Sequence, residues 1–495
     1  MKIICLMLIS AMVFIIGCGE SSNVSETDFV KETSEPETTE LKYTAAYLPD
    51  KTYGGYEFRI TVADGNLWDC TTAAHVDEET GDTVNDAIYQ RNLQVAERYN
   101  IKFVQNLTPD LETLRVTFNK STQADSDDFD LCMLISRHAW AAALNGSVVP
   151  VHKLPYLDIS QPWYSHDVNS EISINNKLYF AYIDECLNMF ENTLCVLFNK
   201  KLVDDLAFGD IYSLVNENKW IIDKFFDLAK ATSADLNGDG EMTDSDRYGI
   251  LSQFDMLYPC FWVSSEIKTV SKDTDDLLVF TGDNEKLFNL LDKIYRNIYD
   301  GEKIYFDTFK DKITSFSYQA GDQTQQRRVS ASQFESNLGL FYVIGVGQIP
   351  KLRAMETDFG ILPFPKYDES QAKYYSRVID GWINCVPVTA PDLERTSIIM
   401  EALAVESRNI TIPAYFETAL RTKYARDNES QEMLDIIYAY KTMDIGDTFY
   451  YEQVRLIYTD LLVAKRNNFA SAVESNFNSI NNELNKANET ALALE

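Results

Sequence analysis

The sequence predicts an α/β protein built of two large lobes, and three observations support this fold class. The chain has 495 residues, enough for about three domains of ordinary size or for two α/β lobes with long insertions. Strand and helix patterns alternate in its first part, at residues 56–63, 82–100 and 101–104. Residues 129–135 form an apolar run bounded by acidic residues, which is typical of a strand buried on both faces of a parallel sheet.

Each predicted element follows from a local pattern. Residues 56–63 (YEFRITVA) alternate in polarity and then reach Asp64-Gly65, as a strand does before a turn. Residues 82–100 carry apolar side chains near helical spacing and end at Asn100, and a second strand follows at once. Further along, the patterns predict strands at 177–181, 194–198 and 359–363, a helix at 220–232, and a mostly helical chain from Leu393 onward.

The composition excludes several classes of protein. Apolar residues make up 45% of the chain and aromatic residues 12%, which is ample for a packed core and excludes a disordered chain. The chain has 44 basic and 76 acidic residues, so its formal net charge is -32. No basic stripe is available to displace cations from phosphates, so we expect neither nucleic-acid binding nor docking on an anionic membrane surface.

The first residues of the chain predict an export signal. In MKIICLMLISAMVFIIGCGE, one lysine is followed by an apolar run over residues 3–16, which is too short to cross about 30 Å of hydrocarbon. We therefore predict a signal peptide at 1–17. The ending Ile15-Ile16-Gly17-Cys18 resembles a bacterial lipoprotein lipobox, which implies cleavage before Cys18 and acylation of that residue. An ordinary secretory signal with an incidental cysteine is the alternative.

A flexible tether is predicted between this signal and the folded chain. Residues 18–50 are rich in Ser, Thr and Glu and carry few apolar side chains, so they cannot bury enough surface to become ordered. A solvated acidic tether on a lipidated Cys18 would let residues 51–495 face outward from the membrane. No other run is long enough to cross a membrane, so the lipid anchor is the only membrane attachment that we expect.

Six cysteines remain after Cys5 and Cys18, and none forms a C-x-x-C pair. Most of them lie in apolar surroundings, which favours buried thiols that act as small apolar side chains. Disulfides are the alternative, and six cysteines allow fifteen connectivities. The six are Cys70, Cys132, Cys186, Cys195, Cys260 and Cys385.

One acidic loop predicts a structural Ca²⁺. Residues 235–246 (DLNGDGEMTDSD) fit the pattern D-x-[DN]-x-[DN]-G, in which a glycine at the sixth position makes the sharp turn. Position twelve is an Asp rather than the usual Glu, and a strand entry follows instead of a second helix, so a structural ion is expected and not a sensor. An acidic connecting loop without metal is the alternative. The predicted ligands are Asp235, Asn237, Asp239, Glu241 and Asp246.

Catalytic signatures are absent from the sequence. It contains no G-x-S-x-G, H-E-x-x-H, Walker or G-x-G-x-x-G motif, and its four histidines never stand at i, i+4 spacing. Glycoside hydrolysis needs two facing carboxylates, for which Asp184, Glu185 and Asp380 are candidates. Asp184 and Glu185 are adjacent and would point to opposite faces of an extended segment, so they are a poor catalytic pair.

Four stretches of the sequence resemble one known family. They are the lipobox, residues 218–250 with a Trp-led helix, a D-x-N-x-D-G loop and Tyr-Gly-Ile, residues 358–366 (DFGILPFPK), and residues 381–437. In these stretches the chain is similar to the extracellular solute-binding proteins of ABC sugar importers, family 1, the type related to maltodextrin-binding proteins.

The resemblance implies a fold and a function. The fold would be a two-lobed periplasmic-binding-protein-like clamshell of type II with the ligand cleft between its lobes. Lobe 1 would comprise residues 51–165 and 330–390, and lobe 2 residues 166–329 and 391–495. The protein would be a non-enzymatic monomer, anchored at the extracytoplasmic face of the cell membrane. It would capture a carbohydrate, an oligosaccharide in particular, and deliver it to an ABC transporter permease.

Tryptophans are the first candidates for contacting a sugar, because aromatic faces pack against the apolar C–H patches of pyranose rings. Trp382, which follows Gly381, matches the position where the resembled proteins place a sugar-stacking aromatic residue. Trp262 is a further candidate, and core packing is the alternative for both residues. Trp68 and Trp163 lie in polar or proline-broken loops, where an exposed ring suits binding better than packing.

Carboxylates and amides accept hydrogen bonds from sugar hydroxyls. Tyr182, Asp184 and Glu185 follow a predicted apolar strand and are expected at its carboxyl end, where open α/β sheets bind their ligands. Asp380, next to the Gly381-Trp382 pair, completes the predicted ligand-binding set. Two alternatives of other classes stay open: an exported glycoside hydrolase, and a surface scaffold or adhesion protein whose D-x-N-x-D-G loop is similar to half of a dockerin.

Overall fold

Two β-sheets organise the chain in the structure, a computed structural model that describes residues 42–64, 74–299, 304–307, 315–320, 323–416 and 426–493. Residues 43–495 form one compact unit. The predicted signal peptide, Cys18, Trp68 and Cys70 lie outside the described residues. The strands are β1 (Tyr56–Ala63), β2 (Ile101–Thr108), β3 (Leu131–Ile135), β4 (Leu194–Asn199), β5 (Tyr248–Ser252), β6 (Val270–Lys272), β7 (Leu278–Phe280), β8 (Tyr305–Asp307), β9 (Ser315–Ala320), β10 (Gln323–Arg328), β11 (Gly339–Gly345), β12 (Phe359–Leu362), β13 (Ser376–Arg377), β14 (Trp382–Cys385) and β15 (Lys441–Thr442).

The helices confirm the predicted α/β class. Residues Ser407–Thr411 and Tyr451–Arg455 are wound as π-helix. The α-helices are α1 (Thr83–Tyr99), α2 (Leu111–Gln123), α3 (Ser136–Leu144), α4 (His166–Glu171), α5 (Asn188–Glu191), α6 (Lys200–Asp205), α7 (Ile211–Asn216), α8 (Ile222–Thr232), α9 (Phe254–Ser264), α10 (Glu285–Tyr299), α11 (Val329–Glu335), α12 (Leu393–Glu406), α13 (Asn428–Ala439), α14 (Ile445–Thr448), α15 (Leu456–Val463) and α16 (Phe469–Ala493).

The first sheet has the strand order β14-β3-β1-β2. Strands β1, β2 and β3 are parallel, whereas β14 joins the edge of β3 antiparallel. All five side chains of β3 are buried, as its apolar run predicts. Helix α1, which connects β1 to β2, begins after Asp82, whose carboxylate accepts from the amides of Val84 and Asn85. It ends at Asn100 in a left-handed conformation with φ 48°.

The second sheet has the order β12-β4-β11-β5-β8. Its centre is made of β4 and β11, which are antiparallel and buried along their whole length. Strands β11, β5 and β8 are parallel to one another. Helix α8 packs closely on β5 at Gly249, where an added Cβ would lie 2.3 Å from the carbonyl oxygen of Ala229. Only glycine allows this approach of helix and strand.

The segment before β1 packs against the folded chain. Ala45 and Leu48 are buried, and the Tyr47 hydroxyl donates to the Glu401 carboxylate. The Asn409 side-chain amide bonds both the backbone N–H and the carbonyl of Tyr43. The compact unit therefore begins at Tyr43, earlier than the predicted boundary at residue 51.

Two predictions about the fold need correction. Residues 177–181 do not form a strand, because they meet β14 only at one isolated bridge, Ala181↔Asn384. The predicted lobe 1 segment 330–390 is divided between the sheets: β11 and β12 belong to the second sheet, and β14 to the first. Helix α12 falls in the segment that the sequence predicts for lobe 2. In the structure it packs against α1, beside the first sheet. The chain crosses between the sheets at places that local patterns do not reveal.

The remaining fold predictions concern thiols and membranes. Five of the six cysteines that follow Cys18 lie among the described residues, and all five are free and buried, which confirms the prediction for them. Within the described ranges, no helix combines the length and the apolar character that a membrane crossing requires.

Candidate ligand-binding cleft

A cavity of about 420 Å³ lies where the two sheets present the ends of their strands. Arg137 follows the carboxyl end of β3, and Ile379 and Asp380 precede β14, which runs antiparallel to β3. Residues 253–256 follow the carboxyl end of β5, and Gln348 follows that of β11. Open α/β sheets bind ligands at this end of their strands.

The third wall of the cavity comes from the C-terminal part of the chain. Thr448 ends α14, and Tyr451 and Arg455 belong to the π-helical segment that leads into α15. Single π turns recur at functional sites, because they displace side chains from regular helical positions. Together with Asn192 before β4, these residues close the space between the two sheets.

On the side of the first sheet, an ion pair lines the cavity. The Arg137 guanidinium lies 2.6 Å from the Asp380 carboxylate. Burial raises the pKa of Asp380, although the charge of Arg137 opposes this effect. The Ser136 hydroxyl donates to the carbonyl of Gly381 at 2.9 Å and shares a 2.6 Å hydrogen bond with the hydroxyl of Tyr182. Through Ser136, the buried Tyr182 thus helps to hold the residues next to this ion pair in place.

On the opposite side, two arginines share one carboxylate. Arg377 binds Asp447 through two hydrogen bonds of 2.6 and 2.9 Å, and both side chains are fully buried. Arg455 approaches the same carboxylate at 3.4 Å, and its guanidinium lies 4.7 Å from the Tyr451 ring centroid. Arg377 also donates to the backbone carbonyl of Asp255 at 3.0 Å. This network holds two cavity-lining charges, Arg455 and Asp255, in place.

Three polar atoms of cavity-lining residues are buried and have no hydrogen-bond partner in the described part of the chain. They are Oδ1 of Asp255, Oε1 of Gln348 and Nε of Arg455. Burying an unpaired polar atom costs about 1–3 kcal/mol. Polar atoms kept in this state beside a cavity are suited to pair with a ligand.

Of the predicted ligand-binding residues that the structure describes, only Asp380 lines this cavity. The described tryptophans of the set are buried: Trp382 is 2% exposed, Trp262 0% and Trp163 1%. The indole N–H of Trp163 donates to Glu401 at 3.0 Å, and that of Trp262 to Asp444 at 3.2 Å. Their predicted contact with a sugar stays a prediction, as it does for Trp68.

The predicted polar residues 182, 184 and 185 are buried behind the cavity or away from it. Asp184 pairs with Arg408 at 3.2 Å, and burial raises its pKa to about 7. The carboxylate of Glu185 accepts from the side-chain amide of Asn384, and burial raises its pKa as well. The structure therefore gathers Asp380 and, one layer behind it, Tyr182, but not the two adjacent acids.

Sequence reasoning missed most residues that line the cavity. Gln253 and Gln348 could have been found, because each is a polar residue just after a buried strand, β5 or β11. Arg455 and Thr448 had no such signal, since only the tertiary path of the C-terminal helices brings them to the strand ends.

The loop at 235–246 folds tightly around its own carboxylates. Asp235 accepts from the amides of Gly238 and Gly240, both at 2.7 Å, and Gly240 has φ +86°. Asp246 accepts from the amides of Leu236 at 2.9 Å and Thr243 at 2.7 Å. Within the described residues, no group of three or more His, Cys, Asp or Glu side chains is arranged to hold a metal. The loop has the predicted turn, and its Ca²⁺ site stays a prediction.

No family model matches the sequence, and no curated protein matches it significantly. Solved structures do match the fold. An ABC substrate-binding protein from Listeria monocytogenes in complex with cycloalternan aligns with a TM-score of 0.55 at 10% identity, covering 87% of this chain and 99% of that chain. A cyclo/maltodextrin-binding protein complexed with maltotetraose aligns with a TM-score of 0.54 at 12% identity, covering 89% and 97%.

The maltose-maltodextrin-binding protein of the bacterium Alicyclobacillus acidocaldarius aligns with a TM-score of 0.52 at 11% identity. The alignment covers 86% of this chain and the whole of that protein. At such identities the likeness shows the fold alone. The two β-sheets and the cavity at their strand ends agree with this fold. The chain has the two-lobed fold of the ABC solute-binding proteins of the maltodextrin-binding type.

Proposed function

We propose that this protein captures a carbohydrate, an oligosaccharide in particular, in the cavity between its two sheets and delivers it to an ABC transporter permease. It does so as a monomer held at the extracytoplasmic face of the membrane by a lipid on Cys18. Two facts support the proposal: the fold is that of ABC solute-binding proteins, and several structures with this fold carry bound sugars. The protein binds its ligand without chemical change.

The observation that carries the proposal is the set of unpaired atoms at the cavity. Oδ1 of Asp255 and Oε1 of Gln348 are free to accept a hydrogen bond from a ligand, whereas Nε of Arg455 is free to donate one. A hydroxyl group both donates and accepts, so neighbouring hydroxyls of one sugar can satisfy all three atoms. Phe254 and Tyr451 add aromatic surface for the C–H patches of a pyranose ring.

The charges around the cavity favour an uncharged ligand. Arg137 is neutralised by Asp380. On the other side, the positive charges of Arg377 and Arg455 match the negative charges of Asp447 and Asp255. A charged ligand would add an unpaired charge to these balanced groups. A neutral ligand rich in hydroxyl groups can form hydrogen bonds with them and leave the charges balanced. The cavity of about 420 Å³ has the size of a small-molecule site.

Sugar binding is tested by titrating the full mature chain with neutral mono- and oligosaccharides, maltodextrins first. A ligand that binds only the folded state should raise the free energy of unfolding by about 2.7 kcal/mol at a hundredfold excess over Kd. We expect one class of neutral sugar to raise Tm and to give saturable heat in calorimetry. Chromatography of the same mixtures should recover the sugar intact. Released fragments would instead support the glycoside hydrolase, and no response to any sugar would contradict carbohydrate capture.

The proposal includes a structural Ca²⁺ in the loop at 235–246. Asp235, Asn237 and Asp239 supply side-chain oxygens within one tight turn, and Glu241 and Asp246 stand at positions seven and twelve of the predicted motif. We expect Tm to fall when Ca²⁺ is replaced by a chelator and to recover with Ca²⁺ but not with Mg²⁺. The Asp239→Ala variant should have a low Tm that Ca²⁺ no longer raises. A Tm that ignores Ca²⁺ in the wild-type chain would contradict the metal site.

A further inference from the structure

A second, smaller pocket of about 220 Å³ opens at the surface, away from the cleft residues. It is lined by six residues of α4, α13 and β15 and their flanks, and we call it the Lys441 pocket. They are Ser165, His166, Asp167, Val168, Tyr438 and Lys441. His166 and Asp167 are exposed, so small solutes reach the pocket from solvent.

The Lys441 amine lies among aromatic rings rather than beside a carboxylate. Nζ is 4.7 Å from the ring centroid of Phe190 and 5.6 Å from that of Tyr438. It donates one hydrogen bond, of 3.1 Å, to the backbone carbonyl of Tyr438. Among the described residues, no carboxylate approaches Nζ within ion-pair distance, although other lysines of the chain, such as Lys51 and Lys219, have such a partner.

The charges that face the amine come from three elements. Asp184 and Asp167 favour the ammonium form, and Arg408 opposes it from the π-helical segment after α12. Asp184 also pairs with Arg408 at 3.2 Å, so the positive charge of Arg408 offsets part of the effect of Asp184 on the Lys441 amine. His166 and the Tyr438 hydroxyl are the other titratable groups at the pocket. Burial has the largest effect and lowers the pKa of Lys441 to about 8.

We propose that Lys441 is a nucleophilic amine that takes small aldehydes from solvent as imines. The pocket gives the aldehyde a place beside Nζ, and burial with no ion-paired carboxylate among the described residues keeps part of the amine free of its proton. This site is separate from the cleft and does not depend on sugar binding.

The reaction balances without a further reactant. The nitrogen lone pair forms a bond to the carbonyl carbon, and the carbonyl oxygen takes up a proton to give a carbinolamine. The hydroxyl then leaves as water while nitrogen loses its remaining proton, so amine and aldehyde give imine and water. Only the uncharged amine carries the lone pair, which is why a lowered pKa favours this lysine over exposed ones.

The test uses the full mature chain with glycolaldehyde and cyanoborohydride, whose hydride reduces the imine to a stable secondary amine. Peptide mapping by mass spectrometry then measures modification at each lysine. At pH about 7 we expect Lys441 to react about tenfold faster than Lys51 or Lys219. These two are matched controls, because a neighbouring glutamate raises the pKa of each and both are about half exposed. Equal or slower modification of Lys441 would refute the proposal.

A pair of variants tests the cause of the reactivity. Asp184→Asn removes a carboxylate that favours the ammonium form, so it should speed modification of Lys441 at pH about 8, where most of the Asp184 carboxyl is ionised. Arg408→Gln removes a positive charge and should slow it. Both variants are compared only after circular dichroism shows that they fold. Changes in the opposite directions, or none, would show that Lys441 is not tuned by these neighbours and would overturn the assignment.

Discussion

Replacing Arg377 by methionine is expected to lower the free energy of unfolding by about 3–5 kcal/mol. The guanidinium makes two hydrogen bonds to Asp447, and both side chains are fully buried. Methionine fills similar space but leaves the Asp447 carboxylate in the interior with, among the described residues, only the 3.4 Å contact of Arg455. Removing one partner of a buried pair costs more than the pair itself contributes, because the other charge stays desolvated. Equilibrium unfolding in urea measures the loss.

An exposed ion pair is the control for this prediction. Lys201 and Asp205 pair at 2.8 Å on α6, and both side chains are about half exposed. Lys201→Ala should cost less than about 1 kcal/mol. The double variant Arg377→Met with Asp447→Leu should recover part of the stability that the single variant loses, since no unpaired charge remains. A similar cost for Arg377→Met and Lys201→Ala would show that burial of the pair has no special effect.

Asp255→Ala is expected to weaken binding of the captured sugar about tenfold or more while leaving stability nearly unchanged. Its Oδ1 atom has no partner in the described chain, so the folded protein loses little when it is removed. A sugar hydroxyl that donates to this oxygen loses a hydrogen bond to a charged group, worth about 1.5–3 kcal/mol. Calorimetric titration gives the affinity, and thermal unfolding without ligand gives the stability.

Asp223→Ala is the matched control, because Asp223 is an exposed aspartate that pairs with Lys293 at 2.9 Å and does not line the cavity. It should bind the sugar like the wild-type chain. Unchanged affinity in Asp255→Ala would remove this carboxylate from the binding site. A large loss of stability in that variant would mean that Asp255 supports the fold instead of the ligand.

Local patterns predicted the regular elements well, because their signals lie within a few neighbouring residues. The first strand has the predicted bounds, and α1 fills the predicted helical segment 82–100, whose end residues Asp82 and Asn100 cap it. The buried run of β3 was evident from its apolar sequence. Polarity alternation and helix capping are decided by adjacent side chains, so the sequence contains that information directly.

Long-range pairings were beyond such patterns. The assignment of β11 and β12 to the second sheet depends on partners that are distant in the chain. The tryptophans Trp163 and Trp262 looked suited to a ligand, yet each finds a buried carboxylate for its indole N–H on a remote helix or turn, at Glu401 and Asp444. The cleft combines strand ends with the C-terminal helices. The tertiary path of the chain, and not the spacing of residues in the sequence, therefore decides which residues line it.

The edge strand of the first sheet also limits when the protein can fold. Strand β14 begins at Trp382, long after β3 ends at Ile135. The ribosome makes the chain from its N-terminus, so the edge of β3 that pairs with β14 stays open until most of the protein has been synthesised. An open edge can recruit a strand of another nascent chain. The first sheet can therefore be completed only after residues 382–385 have been made, and fragments that end before residue 382 should aggregate rather than yield a soluble first lobe.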